Sequence, residues 1–255
     1  MQKSSNSYIL VFVILLAVLS ASLLAFVSES LRPLQNANIA LEKKKFILTT
    51  YMGDSLISTL TDEEINAKYD KNVLSKVVDA QGNVLEDITD KDVVLAVEYK
   101  KAPQDRLLPI YEIKDDQGQI EFVVLPVYGF GLWDNIWGFV ALRSDMTTIQ
   151  GVIFDHKGET PGLGARITEP QIKQRYNGKR IRNEQGNLVS VTMVKGEKGG
   201  GARSIQAFES DPHSVDGMSG ATITANGLND MLQTYFGIYD SYLSGKLNST
   251  SMLIK

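Results

Sequence analysis

The pattern of hydrophobic and polar positions divides the chain into an apolar N-terminal run and a longer mixed part. Residues 8–27 carry no charged side chain. At about 1.5 Å per helical residue, such a run spans the roughly 30 Å apolar core of a bilayer. It therefore predicts a transmembrane anchor, which we bound at residues 1–34. A cleaved signal peptide is the alternative, because residues 20–22 are small, but the apolar run continues past that point.

Beyond the anchor, helical and strand periodicities alternate, and they predict an α+β fold class: a single N-terminal transmembrane helix followed by a soluble mixed α/β domain. A helical pattern covers residues 35–60, and another helix is expected after Thr61, which precedes three acidic residues. Gly199-Gly-Gly201 is expected to form a hairpin tip between two strands. Runs rich in β-branched and aromatic residues predict strands over residues 73–78, 84–85, 93–97, 120–125, 136–142, 189–194 and 203–207.

The last long helix is predicted to follow residue 222. Leu228, Leu232 and Phe236 recur at helical spacing, and Gly245 stands where a glycine often ends a helix. A helix start exposes unpaired backbone N–H groups and the positive end of the helix dipole. The start of this helix is therefore a suitable place for a phosphate group.

The run Asp216-Gly-Met-Ser-Gly-Ala-Thr222 places hydroxyl groups among small residues at that helix start. Two interpretations remain open on physical grounds. One is an ordinary helix cap formed by Ser219, Thr222 or Thr224. The other is a site at which a phosphate-bearing group is held.

Two further glycine-rich segments have the same double interpretation. Gly129-Phe-Gly-Leu-Trp133 connects two predicted strands, and Trp133 either fills a core or covers one face of a planar ligand. Glu159-Thr-Pro-Gly-Leu-Gly164 predicts a turn from its proline and glycines. Neither segment identifies a ligand without further information.

Composition excludes several classes of function. The net charge of −4 argues against a nucleic-acid surface, which normally carries a basic excess. Without cysteine the chain forms no disulfide and supplies no thiolate to an iron–sulfur cluster. Its two histidines, His156 and His213, are too few for a three-histidine metal site, and we expect no metal. If the chain carries electrons, it does so with an organic cofactor or with a site shared with another chain.

In order along the chain, five features resemble one family. They are the anchor, the segment from Leu31-Arg-Pro-Leu-Gln35 to Lys43-Lys-Lys-Phe-Ile-Leu48, the Gly-Leu-Trp loop, the Glu-Thr-Pro-Gly-Leu-Gly loop and the Ser-Gly-Ala-Thr helix start. Together they resemble the anchored, covalently flavinylated subunit of the sodium-translocating NADH:quinone oxidoreductases. The paralogous protein of Rnf-type ferredoxin:NAD oxidoreductases shares the flavin motif and is the nearest alternative. A cofactor-free, anchored extracytoplasmic binding protein is an alternative of a different class.

The resemblance implies that Thr222 carries covalent FMN through the FMN phosphate, as a phosphoryl threonine. Threonine is a weak nucleophile with no base beside it in this segment, so the family's flavin transferase, with FAD as donor, is expected to attach the group. The resemblance places the FMN-binding domain at residues 120–255, after a membrane-proximal region at residues 35–119. Catalytic residues are not expected, and the implied cofactor-binding residues besides Thr222 are Asp216, Ser219, Gly220, Ala221, Trp133, Glu159, Thr160, Gly162, Leu163 and Gly164.

The same resemblance implies an electron relay within a membrane assembly of six subunits that couples NADH oxidation and ubiquinone reduction to sodium transport. The expected location is the bacterial inner membrane, with one span and the soluble part on the periplasmic side. Charge alone does not orient the span, because Lys3 precedes it while Arg32 and residues 43–45 follow it. The implied partners are the other subunits, the flavin transferase and the lipid bilayer.

Overall fold

The computed structural model of the protein describes residues 6–199 and 202–253. By its internal contacts the chain forms two units, the first ending at Lys43 and the second beginning at Lys44. The helices are α1 (Asn6–Met52), α2 (Asp54–Ile57), α3 (Asp62–Asn72), α4 (Leu95–Glu98), α5 (Pro170–Lys173), α6 (Ala202–Ala207) and α7 (Thr222–Leu253). The strands are β1 (Val73–Val78), β2 (Val84–Leu85), β3 (Leu108–Lys114), β4 (Ile120–Phe130), β5 (Asn135–Arg143), β6 (Ile149–His156), β7 (Thr192–Met193) and β8 (Ser214–Val215).

Within the described residues, the first unit consists of residues 6–43 of α1, which include the apolar run. By length and composition this helix can cross a membrane, so the expected single apolar N-terminal helix is confirmed. The helix continues through Pro33, whereas the sequence suggested a separate helix beginning after that proline. A proline removes one backbone hydrogen bond from a helix interior, but the residues on both sides of Pro33 remain helical.

The second unit is built on a six-stranded antiparallel sheet with the order β2-β1-β3-β4-β5-β6. The strands predicted at residues 73–78 and 84–85 have those bounds, and those predicted at 120–125 and 136–142 lie inside β4 and β5. Strands β3 and β6 were not predicted. The sheet is continuous across residue 120, so strands on both sides of the expected domain boundary share one sheet.

Helix α7 covers one face of this sheet and fixes where the functional loops meet. Leu228, Leu232 and Phe236 are buried, as their spacing predicted. The Tyr239 hydroxyl lies 3.1 Å and 3.0 Å from the main-chain oxygens of Pro109 and Pro126, which ties the helix to β3 and β4. Nearer the start of α7, Gly227 lies so close to the Phe130 carbonyl oxygen that a Cβ there would collide with it, so the first turns of the helix pack against the end of β4.

Other local predictions were wrong where tertiary contacts outweighed propensity. Residues 93–97 were predicted as a strand, but α4 forms there because the buried Glu98 carboxylate accepts a hydrogen bond from the Leu107 N–H at 2.9 Å. Residues 203–207, also predicted as a strand, form α6, and the Ser204 hydroxyl contacts the buried Asp216 carboxylate at 2.6 Å. The predicted hairpin is therefore absent, although Gly200 and Gly201 themselves lie outside the described residues.

Two further boundaries differ from the prediction. The helix expected over residues 35–60 ends at Met52, because Gly53 adopts a left-handed φ of +88° and starts a new short helix. Helix α7 passes through Gly245 to Leu253, since a glycine in a helix interior costs only about 1 kcal/mol. The strand predicted at 189–194 shrinks to the two residues of β7, which pair in parallel with β8.

The helix cap at the start of α3 can be tested by mutation. Thr61 and Glu64 form a reciprocal capping box: the Thr61 hydroxyl accepts from the Glu64 N–H, and the Glu64 carboxylate accepts from the Thr61 N–H at 2.8 Å. Thr61→Ala removes one half of this arrangement and should cost about 1 kcal/mol, which lowers the melting temperature by roughly 2–4 °C for a chain of this size. Thermal unfolding of the detergent-solubilised chain measures the shift. Thr59→Ala, at an exposed neighbouring threonine, should leave the melting temperature unchanged.

Candidate flavin site

A cavity of about 280 Å³ lies at the N-terminal end of α7. Three separate parts of the chain form its wall: the loop after β4, the loop after β6 and the first residues of α7. These are the three segments that the sequence singled out. The lining residues are Leu132, Glu159, Thr160, Leu163, Gly164, Gly220, Ala221, Thr222, Ile223 and Thr224.

The Glu159 carboxylate joins the three segments. It is only 4% exposed. Its Oε1 accepts hydrogen bonds from the backbone N–H groups of Leu132 (2.8 Å) and Trp133 (3.0 Å), and its Oε2 accepts from the Thr224 hydroxyl at 2.5 Å. Glu159 therefore holds the loop after β4 and the first turn of α7 in fixed positions relative to one another.

Two glycines are needed for Glu159 to sit at this point. A Cβ atom on Gly131 would collide with Oε1 of Glu159, and one on Gly164 would collide with Oε2 and with the Thr224 hydroxyl. The carboxylate is thus enclosed by backbone. Any side chain at either glycine would push it out of its hydrogen bonds.

The rim of the cavity is apolar and exposed. Trp133 is 65% exposed and does not itself line the cavity, but its indole Nε1–H donates to the hydroxyl of the lining residue Thr160 at 3.1 Å, which orients the ring beside the cavity. Leu132, Leu163 and Ile223 are also exposed. An aromatic ring and three aliphatic side chains beside a cavity form a surface that suits a flat, largely apolar ring system.

Thr222 is the first residue of α7 and is half-buried in the cavity wall. Within the described part of the chain, no hydrogen-bond partner is found for its hydroxyl. Backbone N–H groups in the first turn of a helix have no partner within the helix, and they attract a negatively charged group. Gly220, two residues earlier, has a φ of +75°, so the chain turns sharply into the helix at a position that favours glycine.

Asp216 lies outside the cavity wall and anchors the preceding loop. It is fully buried, and its carboxylate accepts hydrogen bonds from the backbone N–H groups of Lys198 and Gly217, at 3.0 Å each, and from the Ser204 hydroxyl. Ser219 and Gly162, also among the expected site residues, do not line the cavity. Gly162 has a φ of +75° with open space around it.

A partly buried ion network supports the same loop. The Glu197 carboxylate pairs with both terminal nitrogens of Arg166 at 2.9 Å, with Arg175 at 2.7 Å, and accepts from the Ser219 N–H at 3.3 Å. Arg175 also donates to the carbonyl oxygens of Asp216 and Gly217. The hydrogen bonds from Arg166, followed by those from Arg175, lower the pKa of Glu197 to about 2.

Sequence reasoning missed Leu132, Ile223 and Thr224 as lining residues, and it missed Glu197, Arg166 and Arg175 as supports. The first three stand beside residues that were singled out, so proximity to the motifs was the available signal. The three charged residues lie in different segments and follow no spacing pattern. Only the folded chain brings them together.

Comparison with known proteins shows to which family the chain belongs. The profile of the FMN-binding domain family matches residues 131–236, which include the whole cavity wall. The C subunit of the Na(+)-translocating NADH-quinone reductase from Haemophilus ducreyi is 33% identical over 92% of this chain and 91% of its own length. The chain belongs to the family of C subunits of the Na(+)-translocating NADH-quinone reductases. The Pseudomonas aeruginosa relative of the same name is 30% identical over 95% of this chain and 96% of its own length.

Solved structures agree with this assignment. The crystal structure of the C subunit of the Na(+)-translocating NADH-quinone reductase from Parabacteroides distasonis superposes with a TM-score of 0.68 and is 29% identical in sequence. The match covers 84% of this chain and 97% of that one. NqrC of Shewanella oneidensis has a TM-score of 0.67 and is 26% identical, with 80% of this chain covering 96% of it. The family resemblance seen in the sequence is confirmed, as are the fold class and the presence of an FMN-binding domain.

The ion network at Glu197 predicts a pH-dependent contribution to stability. Because the pKa of Glu197 lies below its ordinary value of 4.5, its stabilising effect is complete above that value and is lost as the pH falls towards about 2. Glu197→Gln leaves the buried Arg175 without its countercharge, which should lower the free energy of unfolding by about 3 kcal/mol at pH 7.

The difference between wild type and Glu197→Gln should shrink between pH 4.5 and pH 2, because protonated Glu197 is as neutral as glutamine. Denaturant unfolding at a series of pH values measures this difference. Glu184→Gln, at an exposed carboxylate, serves as the control. A difference that stays constant down to pH 2 would contradict the role assigned to the network.

Proposed function

We propose that this chain carries FMN, linked covalently through its phosphate to the Thr222 hydroxyl, and relays electrons within a sodium-pumping NADH:quinone oxidoreductase. The observation that carries the proposal is the cavity at the start of α7. Three glycine-containing segments form it, and Thr222 stands in its wall. Isolated turns and a simple helix cap would not require these segments to converge.

The residues present suit FMN in two respects. The first turn of α7 offers its free N–H groups to the phosphate, while the exposed apolar rim of Leu132, Trp133 and Leu163 suits the edge and face of an isoalloxazine ring. The chain has no cysteine, so a thiolate-bound cluster cannot do this work. When bound, FMN supplies the electron-transfer chemistry, and the protein supplies position, electrostatics and exclusion of water.

The attachment reaction is the one that the family resemblance implies. The threonine oxygen forms a bond to the FMN phosphorus of FAD, the anhydride bond of FAD breaks, and AMP leaves with the bonding electron pair. The hydroxyl proton passes to a base of a separate flavin transferase, because threonine is a weak nucleophile on its own. The half-buried position of Thr222 in the cavity wall is compatible with such an external enzyme.

The remaining assignments of the proposal rest on the family. Residues 1–34 stay on the mature protein as a single anchor in the bacterial inner membrane, with the soluble part on the periplasmic side. Residues 120–255 form the FMN-binding domain and residues 35–119 a membrane-proximal region. The chain joins the other members of an assembly of six subunits that passes electrons from NADH to ubiquinone and transports sodium.

The first test is the site of attachment. After coexpression with a flavin transferase, the intact chain should carry the added mass of FMN, and peptide mapping should locate this mass on Thr222. Thr222→Ala should abolish both the added mass and the fluorescence that survives denaturation in a gel. Thermal unfolding should show that this variant remains folded, because losing a hydroxyl at a helix start typically costs only about 1 kcal/mol.

Ser219→Ala provides the matched control, since Ser219 is an exposed hydroxyl in the same loop. It should keep the full FMN mass. The added mass on Ser219 or Thr224 in the wild-type chain, or no added mass after coexpression, would remove the assignment.

The second test concerns Trp133. An indole packed against the flavin ring quenches its emission, so Trp133→Leu should brighten the bound flavin and change its midpoint potential. Fluorescence yield and a redox titration of the flavinylated chain measure the two effects. The hydrogen bond between Trp133 and Thr160 holds the indole ring in one orientation, and quenching of the flavin depends on that orientation.

Trp137 is the chain's other tryptophan and supplies the control. It lies on β5, and strand alternation places it on the face of the sheet opposite α7. Trp137→Leu should leave flavin emission unchanged. Equal emission from the Trp133→Leu variant and wild type would show that the flavin ring lies elsewhere.

A further inference from the structure

Three hydroxyl groups stand at the start of α7, and their surroundings differ. Ser219 is exposed, Thr222 is half-buried, and Thr224 is only 1% exposed. Both threonines line the same cavity. Residues two apart on a helix point in different directions, so Thr224 reaches the cavity wall from the side of Gly164 and Glu159.

The Thr224 hydroxyl is enclosed as well as hydrogen-bonded. It donates to Oε2 of Glu159 at 2.5 Å, and the backbone of Gly164 lies so close to both oxygens that a Cβ there would collide with them. A carboxylate acceptor would activate an accessible hydroxyl as a nucleophile. Here the Thr224 hydroxyl does not react, because the backbone covers its oxygen on this side and a phosphorus atom cannot approach it.

We infer that Glu159 determines which threonine is modified. By holding the Thr224 hydroxyl inward, Glu159 leaves Thr222 as the one threonine of this helix start that can reach the FMN phosphorus of FAD. Glu159 is thus a specificity-determining residue for the modification, acting through Thr224. This inference rests on the proposed attachment of FMN to Thr222.

Loss of Glu159 changes two things at Thr224. The hydroxyl loses its acceptor, and the space that the carboxylate occupied between Gly131 and Gly164 opens. A threonine in a helix has two accessible side-chain rotamers, so its oxygen can then turn towards the cavity. The reaction at Thr224 would be the same as at Thr222: the new oxygen–phosphorus bond forms, the FAD anhydride breaks, AMP leaves, and the proton passes to the transferase.

The experiment uses the full chain coexpressed with a flavin transferase and supplied with FAD, followed by peptide mass mapping. Thr222→Ala alone should carry no FMN. The double variant Thr222→Ala/Glu159→Ala should carry the FMN mass on Thr224. Thr222→Ala/Glu197→Ala is the matched control and should remain unmodified, because Glu197 supports the other side of the same helix start through Ser219.

The single variants Glu159→Ala and Glu159→Gln show whether a chain changed at Glu159 is still a substrate. Both should carry less FMN on Thr222 than wild type, because the loop after β4 loses its link to α7, and Glu159→Ala should carry part of its FMN on Thr224. The inference is overturned if these single variants are modified while the double variant stays unmodified or carries FMN on Ser219. It is also overturned if Thr222→Ala alone is modified on Thr224, or if neither Glu159 variant carries FMN. A wild-type chain without FMN on Thr222 contradicts the proposed function itself.

Discussion

The arrangement of the site depends on one buried carboxylate. Glu159 accepts two backbone N–H groups from the loop after β4 and one hydroxyl from α7, and the described residues include no ion-pair partner for it. A buried carboxylate is costly unless its oxygens are hydrogen-bonded, and hydrogen bonds to a charged acceptor are stronger than neutral ones. Those three donors therefore have to stay in place, which fixes the positions of Trp133 and Thr224 relative to each other.

The rest of the second unit brings these groups within reach. Helix α7 is tied to the sheet through Tyr239, far from its N-terminal end, and Phe130 at the end of β4 contacts Gly227 in its first turns. On the opposite side, Asp216 and the Glu197 network hold the loop that enters the helix. The cavity is therefore shaped by the protein itself, and a cofactor would enter a preformed site.

Sequence reasoning succeeded where the signal is local. Strand β1, the short strand β2 and the helix cap at Thr61 each depend on neighbouring residues, and all three were predicted correctly. The predictions at residues 93–97 and 203–207 failed because Glu98 and Ser204 find partners in other parts of the chain. Propensity cannot register such contacts.

The candidate site also has a part that could be predicted from sequence and a part that could not. Its three glycine-rich segments could be recognised from their residues and their resemblance to a family. The role of Glu159 as a buried link could not, because its partners lie 26, 27 and 65 residues away in the sequence.

The central claim is that the cavity at the start of α7 holds FMN on Thr222, and a crystal structure of the flavinylated chain tests it most directly. We predict electron density that is continuous from the Thr222 hydroxyl oxygen to a phosphate, with the flavin ring against Leu132, Trp133 and Leu163. Density joined to another residue, or a ring bound away from these three side chains, would contradict the account.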